Sequence, residues 1–338
     1  MWTEQKLDEL LTTPSDALVE DIKKIKGDIM ILGAGGKMGP SLAILAKKAV
    51  VKAGINKRVI AVSRFSDPIA KQLLTDNQVE MISIDLLDIE ALNALPEVEN
   101  IIYMAGKKFG TDGDEWRTWG MNSTLPAFVG YKFRNSNIVA FSTGNVYPIA
   151  PTLTGGCTEK DKPEPIGEYP MSCLARERAF EYAANTYGTK VFLYRLSFAL
   201  DLRYGVLYDI AERVYNSKAI NLGNSVFNCV WQGWANEVAI RALLHATAPM
   251  TVMNVTGPEM YSTRKVAEKF GEYFDKEPIF VGKEEDSAYI MDPSIAMETF
   301  GYPSVSANTL IRWQSEWIKE EGRVLNKPTH FEERAGKY

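Results

Sequence analysis

The segment from Asp28 to Lys52 restricts this chain more than any other. An unbroken apolar run, Ile29-Met30-Ile31-Leu32, ends in Gly33-Ala34-Gly35-Gly36-Lys37-Met38-Gly39, and a stretch rich in Ala, Leu and Lys fills 40–52. A short run that is apolar throughout reads as a strand buried on both faces, and the longer stretch reads as a helix. Glycines at 33, 36 and 39 have the spacing GxxGxxG. A strand that turns at once into a helix needs a tight turn, a position without a side chain where a phosphate can approach, and close helix-to-sheet packing. The helix N-terminus then offers free N–H groups and the positive end of its dipole. This setting predicts a dinucleotide site on Gly33, Gly36, Lys37, Met38 and Gly39. A phosphate loop of the Lys-Ser/Thr kind is excluded, because Lys37 is followed by Met38.

The same rhythm continues downstream. Residues 58–62, 81–84, 101–104, 138–141 and 191–194 read as further strands, most of them separated by helical segments, and 251–254 as a late short one. Alternation of this kind predicts an α/β fold, a Rossmann-type doubly wound parallel sheet with a smaller C-terminal substrate-binding lobe. The expected division is an N-terminal helical extension over 1–26 and a dinucleotide domain over 27–200 that also receives 226–255. The lobe would take 201–225 and 256–320, and 321–338 would be a solvated surface tail. In the extension, Leu7, Leu10 and Leu11 share a helical face. Thr13-Pro14 then reads as an N-cap and first helical position before Leu18, Ile22 and Ile25.

Thirty-eight basic against forty-three acidic residues leave a net charge of −5. That balance argues against a protein that coats nucleic acid. Three scattered cysteines without a CxxC pair and two histidines rule out a disulfide framework and leave a structural zinc almost no ligands. The start MWTEQKLDEL lacks the form of a signal peptide, and no apolar stretch is long enough for a membrane span. The expectation is a cytoplasmic protein with reduced thiols and a small-molecule substrate.

The second strand ends in Ser63-Arg64, where an NAD site usually carries a carboxylate for the adenosine 2′-hydroxyl. An arginine fork suits a 2′-phosphate. NADP is therefore expected ahead of NAD.

Further landmarks follow in order: Asp85-Leu86, Met104-Ala105-Gly106, Asn122, Ser142-Thr143-Gly144-Asn145-Val146-Tyr147, Tyr169 with Glu177 eight residues on, and Asn254-Val255-Thr256-Gly257. With them the chain, from about Asp28 to Trp317, resembles the extended branch of the short-chain dehydrogenase/reductase superfamily, the NAD-dependent epimerase/dehydratase group. The resemblance implies that Asp85 and Leu86 contact the adenine, while Ala105, Gly106 and Asn122 line the cofactor. Leu196-Ser197-Phe198 would back the nicotinamide. It implies further that Thr143 hydrogen-bonds the reacting oxygen of the substrate and that Tyr169 exchanges a proton with it. Lys107 and Asn145 are the candidate substrate contacts, and a homodimer is the expected assembly.

One departure stands out. The family pattern is Tyr-x-x-x-Lys, and this chain reads Tyr169-Pro170-Met171-Ser172-Cys173. A free phenol titrates near 10, so a base at neutral pH needs about three units of depression, roughly 4 kcal/mol. Cys173 supplies no positive field. Lys107 or Lys108 is the candidate replacement, with solvated loop lysines as the plainer reading. Cys173 as a nucleophile lacks a nearby histidine, and His245 reads as structural. The functional expectation is an NAD(P)-dependent oxidoreductase, epimerase or dehydratase acting on a sugar, sugar acid or polyol. The alternative is a non-catalytic NAD(P)-binding sensor or scaffold.

Overall fold

In the computed structural model, all residues except Phe109, Thr111, Asp112, Pro328 and Tyr338 are described. The apolar runs become β1 (Ile29–Leu32), β2 (Val59–Ser63), β3 (Glu80–Ser83), β4 (Asn100–Tyr103), β5 (Asn137–Thr143), β6 (Lys190–Leu196) and β7 (Thr251–Val255). They form one sheet in the order β7-β6-β5-β4-β1-β2-β3, with every neighbouring pair parallel. β1 and β4, at the centre, are buried at every position, whereas no residue of the edge strand β3 is fully buried. The strand order reverses between β1 and β4, so a crevice opens beyond Leu32 and Tyr103, which face each other in register.

Nine helices matter for the site: α1 (Glu4–Thr12), α2 (Asp16–Lys24), α3 (Gly39–Lys52), α4 (Leu125–Lys132), α5 (Glu168–Tyr187), α6 (Val206–Tyr215), α7 (Gln232–Arg241), α8 (Thr263–Phe274) and α9 (Ala307–Lys319). One sheet face packs Ile31, Val139 and Phe192 against Leu42 and Leu45 of α3 and Val238 of α7. The other packs Met30, Ile101 and Tyr103 against Leu125 and Val129 of α4 and Phe180 of α5. A separate core in the C-terminal lobe joins Leu207 and Ile210 of α6, Phe270 of α8 and Trp317 of α9 with Phe227.

The extension straddles both cores. Leu18 and Ile22 of α2 enter the first, whereas Leu7 and Leu11 of α1 enter the second with Trp2, whose ring meets Trp313 at 5.3 Å. Two local expectations are corrected here. Leu10 is 38% exposed, because the i, i+4 pair Leu7–Leu11 alone faces the core. The cap of α2 is Ser15, which accepts from the Leu18 amide at 3.1 Å, while the Thr13 hydroxyl donates back to Glu9 O. The expected solvated tail is corrected as well. Thr329 and Phe331 are buried, held by Asp209, which accepts the Thr329 amide at 2.8 Å and hydroxyl at 2.5 Å, and by Asn224, which donates to Phe331 O. Pro328 and Tyr338 of that segment lie outside the described residues.

Candidate active site

Each glycine of the turn has its own physical reason. Gly33 has φ +91°, and a Cβ there would lie 2.5 Å from the Ala105 nitrogen. At Gly39 a Cβ would lie 2.3 Å from Ala34 O, so α3 could not sit this close to the strand end. Gly36 differs: among the described residues a Cβ would meet only Gly33 O, at an ordinary 3.5 Å, so packing leaves room there. Gly35, outside the spaced triplet, is a contact that sequence reasoning missed. Its absent Cβ makes room for the Ser63 Oγ, 2.5 Å away, and the only signal was a fourth glycine in the run.

Beyond this turn lies a cleft of about 670 Å³ lined by Gly33, Gly36, Ser63, Arg64, Asp85, Leu86, Ala105 and Gly106. The structure thus gathers most of the expected cofactor residues on one crevice. Arg64 and Asp85 approach each other to 3.7 Å, both largely exposed. Asn122 is elsewhere: it is fully buried. Its Oδ1 accepts from the Lys107 amide and the Arg176 guanidinium, and its Nδ2 donates to Lys107 O and Ser172 Oγ. With its hydrogen bonds taken by protein, Asn122 clamps the loop after β4 onto α5. That corrects the expectation of a direct cofactor contact.

A second cleft, of about 600 Å³, is lined by Lys37 and Met38 of the turn together with Lys108, Thr143, Asn145, Tyr169, Leu196, Ser197 and Thr329. Thr143 arrives at the carboxyl end of β5, paired in register with Leu196. Its hydroxyl donates to Asn145 Oδ1 at 2.9 Å. Tyr169 stands in the first turn of α5, just after Gly167, whose φ is +89° and against which Gly336 packs. Burial holds the Tyr169 phenol well above its ordinary range, and Cys173 acts in the same direction, while Arg176 and a hydrogen bond with Thr143 oppose them. Burial likewise raises the Cys173 thiol, so in this setting it is neutral and a poor nucleophile.

Arg176 is a cation that acts on Tyr169, and another residue sequence reasoning missed. It is buried and donates to Phe141 O at 2.9 Å and to Asn122 Oδ1 at 2.8 Å. Tyr169, Cys173 and Arg176 follow one another at i, i+4 and i+7, one face of a helix, and that spacing was the available signal.

The two candidate lysines part company. Lys107 pairs with Asp114 and lines a different hollow with Arg64, Asp85, Trp116 and Arg117. Its expected place beside the substrate is therefore corrected, since Asp114 draws its side chain to the outer rim. Lys108 enters the cleft: its Nζ donates to Thr329 O at 3.3 Å and stands 5.9 Å from the centre of the Tyr169 ring. Burial pushes it down to about 8. Lys37 donates to Ala199 O at 3.1 Å, lies 3.7 Å over the Tyr204 ring, and is pushed down to about 7 by burial.

Beneath the cleft a buried network fixes the backbone. Glu177 accepts from Ser142 Oγ at 2.6 Å and from both sides of Arg195 at 3.0 and 2.7 Å. Arg195 also donates to the Tyr147 hydroxyl at 2.6 Å, and Tyr147 donates to Asn254 Oδ1 at 2.9 Å. These contacts lock β5, α5, β6 and β7 to one another at the end where Thr143 emerges. His245 packs edge-on against Phe300 at 5.1 Å, away from the cleft. Chemically, the site offers a hydroxyl pair able to hold one substrate oxygen, a phenol that keeps its proton, and positive charge nearby.

Neither protein-family models nor curated protein sequences give a match to this chain. Solved structures do. A UDP-glucuronic acid 4-epimerase from Bacillus cereus in complex with NAD superposes with a TM-score of 0.71 at 17% identity, over 87% of this chain and 99% of that one. A UDP-glucose 4-epimerase from Thermotoga maritima with UDP-glucose gives 0.68 at 18% identity, again over 87% and 99%. A Bordetella bronchiseptica enzyme in complex with NAD and UDP gives 0.69 at 17% identity, over 90% and 99%. At such identities the likeness is one of fold.

Proposed function

We propose that this chain is an NAD(P)-dependent enzyme of the epimerase, dehydratase or reductase kind, acting on a sugar, sugar acid or related polyol. The observation that carries the reading is a single cleft lined both by the glycine turn, through Lys37 and Met38, and by Thr143 and Tyr169. The room left at Gly36 fits a diphosphate, with the N-terminus of α3 and Lys37 to hold it. Ala105, Gly106, Leu196 and Ser197 would flank the rest of the dinucleotide. A bound nicotinamide supplies or accepts hydride; the chain's own residues manage the oxygen. Thr143 and Tyr169 hydrogen-bond it, and Tyr169, which holds its proton strongly, donates that proton as a carbonyl is reduced. Arg176, buried two turns along α5, supplies part of the positive field that Cys173 cannot.

Arg64 beside a strand end without a carboxylate favours NADP over NAD. Asp85 competes for the same guanidinium at 3.7 Å, which limits the preference to about tenfold, or 1.4 kcal/mol. Three free, buried thiols support a reducing, cytoplasmic setting. Phe128 and Tyr131 of α4 and Tyr182 of α5, each more than two-fifths exposed, support pairing of two copies through these helices. The absence of lysine at Cys173 favours one second reading, a cofactor-binding sensor without turnover.

The test is titration with NADPH and NADH, read by energy transfer from the seven tryptophans. Micromolar binding of either is expected. Failure of both, in protein shown by denaturation to carry no cofactor, overturns the proposal.

A further inference from the structure

Between the glycine turn, the helix Pro68–Asp76 and the C-terminal segment lies a hollow of about 800 Å³. Gly35, Gly36 and Ser66 line both this hollow and the 670 Å³ cofactor cleft, so the two spaces meet along the turn. Ser63 stands at that seam, its Oγ 2.5 Å from where a Cβ of Gly35 would be. It holds the position from which an NAD site usually reaches the adenosine 2′-hydroxyl with a carboxylate. A group carried on the 2′-oxygen therefore starts beside Gly35, at the border of the hollow.

Charge decides what the hollow admits. Its wall holds the cations Lys37, Arg203, Arg323 and Lys327 and the carboxylates of Asp8, Asp67 and Asp201. Most of these are engaged with protein. Arg203 pairs with Asp201 at 2.8 Å and Asp8 at 2.9 Å, and Arg323 pairs with Glu4 at 3.0 Å. Asp67 caps its helix, accepting the Ile69 and Ala70 amides at 2.9 and 3.5 Å. Two lysines remain. Among the described residues neither has a carboxylate partner; Lys37 donates to Ala199 O alone, and Lys327 makes no hydrogen bond. Burial is the main cause that lowers the Lys37 amine to about 7, and the charge of Lys327 is a lesser cause in the same direction. The two amines thus face each other closely enough to repel, and an anion between them relieves both.

The chain also fixes where Lys327 stands. The Leu325 amide donates to Arg203 O at 3.0 Å and the Thr329 amide to Asp209 at 2.8 Å. Lys327 lies midway between these two anchored residues, with its own side chain exposed. Arg64, by contrast, lies 3.7 Å from Asp85 and lines the cleft but not the hollow.

Resting on the function proposed above, we infer that the 2′-phosphate of NADP enters this hollow and is held by Lys327 and Ser66, so that the C-terminal segment selects the cofactor. The diphosphate answers Lys37 at the turn, and the 2′-phosphate, a second anion, answers Lys327. A lysine ammonium takes a phosphate as a point charge, and the Ser66 hydroxyl adds a donor.

The experiment is energy-transfer titration of the full chain with NADPH and NADH, in the parent and in Lys327→Met, Lys327→Arg, Ser66→Ala and Arg64→Met. NADPH is expected to bind at least about tenfold more tightly than NADH in the parent, the scale of a charge-assisted hydrogen bond. Lys327→Met should remove most of that factor while NADH affinity stays unchanged. Lys327→Arg should keep it, Ser66→Ala should lose part of it, and Arg64→Met should retain a clear preference. Adenosine 2′,5′-bisphosphate should displace NADPH better than 5′-AMP does in the parent, and no better in Lys327→Met. An unchanged preference in Lys327→Met, equal weakening of NADPH and NADH, or loss of the whole preference in Arg64→Met each overturns the inference. The two levels separate in the same titrations. If NADH binds the parent as tightly as NADPH, only this inference falls; if neither binds to protein shown to carry no cofactor, the proposed function falls with it.

Discussion

Alanine substitutions at Gly36 and Gly39 should have opposite consequences, although the two glycines lie three residues apart in one motif. At Gly39 the new Cβ would sit 2.3 Å from Ala34 O and 2.5 Å from Ala34 C, both backbone atoms. Restoring an ordinary contact of about 3.4 Å requires α3 to move by about 1 Å against a packed core, and overpacking of this kind costs about 1–3 kcal/mol. For a chain of this size that lowers Tm by roughly 2–4 °C per kcal/mol. At Gly36 the nearest protein atom is 3.5 Å away and the backbone is not left-handed, so alanine fits without strain. Its stability should stay level or rise by about 0.4–1 kcal/mol through the unfolded chain. The methyl then stands where the diphosphate approaches, and cofactor affinity should fall at least about tenfold, 1.4 kcal/mol. Thermal unfolding without ligand and energy-transfer titration with NADH read the two effects separately. A Gly36→Ala variant that binds NADH like the parent refutes the assignment of that space to a phosphate. A Gly39→Ala variant of unchanged Tm refutes the packing argument.

Other perturbations address the rest of the site. Glu177→Ala leaves the buried Arg195 unpaired and Ser142 without its acceptor; the expected loss is about 3–5 kcal/mol, and Glu177→Leu with Arg195→Met should recover most of it in denaturant titrations. Tyr169→Phe should lower kcat about a hundredfold on any substrate found, with cofactor affinity unchanged. Equal turnover would place the proton elsewhere. Stability should rise with pH from about 7 upward, because Lys37 and Lys108 release protons in the folded state near 7 and 8, well below the ordinary lysine range in the unfolded chain. The unfolded chain then binds more protons than the native one until about pH 10. Lys37→Met should flatten the rise in Tm over this window, and a parent Tm that falls there would contradict the burial of both amines.

All seven sheet strands were visible as apolar runs, most plainly β1 and β4, where burial at every position leaves little room for polar residues. Their ends were less so. β5 continues through Ser142 and Thr143, polar residues that pair in register with Arg195 and Leu196 and so remain in the sheet. The glycine turn was readable because its physical demands are local. Arg176 and Asn122 were not, since their burial depends on a partner set assembled from β4, β5 and α5. A polar residue on a helix reads as solvent-facing until its acceptors are known. The C-terminal segment misled for the same reason. Its charges are spent on Arg213, Asn224 and Ser287, residues 119, 110 and 47 positions from their partners, that nothing in a linear pattern connects to it.

The three buried thiols amount to a set of internal clocks. Cys173 lies under Tyr169, Cys157 in the same small cluster near Met291, and Cys229 in the core of the C-terminal lobe. Burial raises all three, Cys157 to about 11, so none reacts with an alkylating reagent until its surroundings open. The order in which the thiols become modified, followed by peptide mass, would time the opening of the tyrosine cluster and of the lobe independently. A ligand that seals the cleft would slow the clock at Cys173 while leaving the one at Cys229 nearly unchanged.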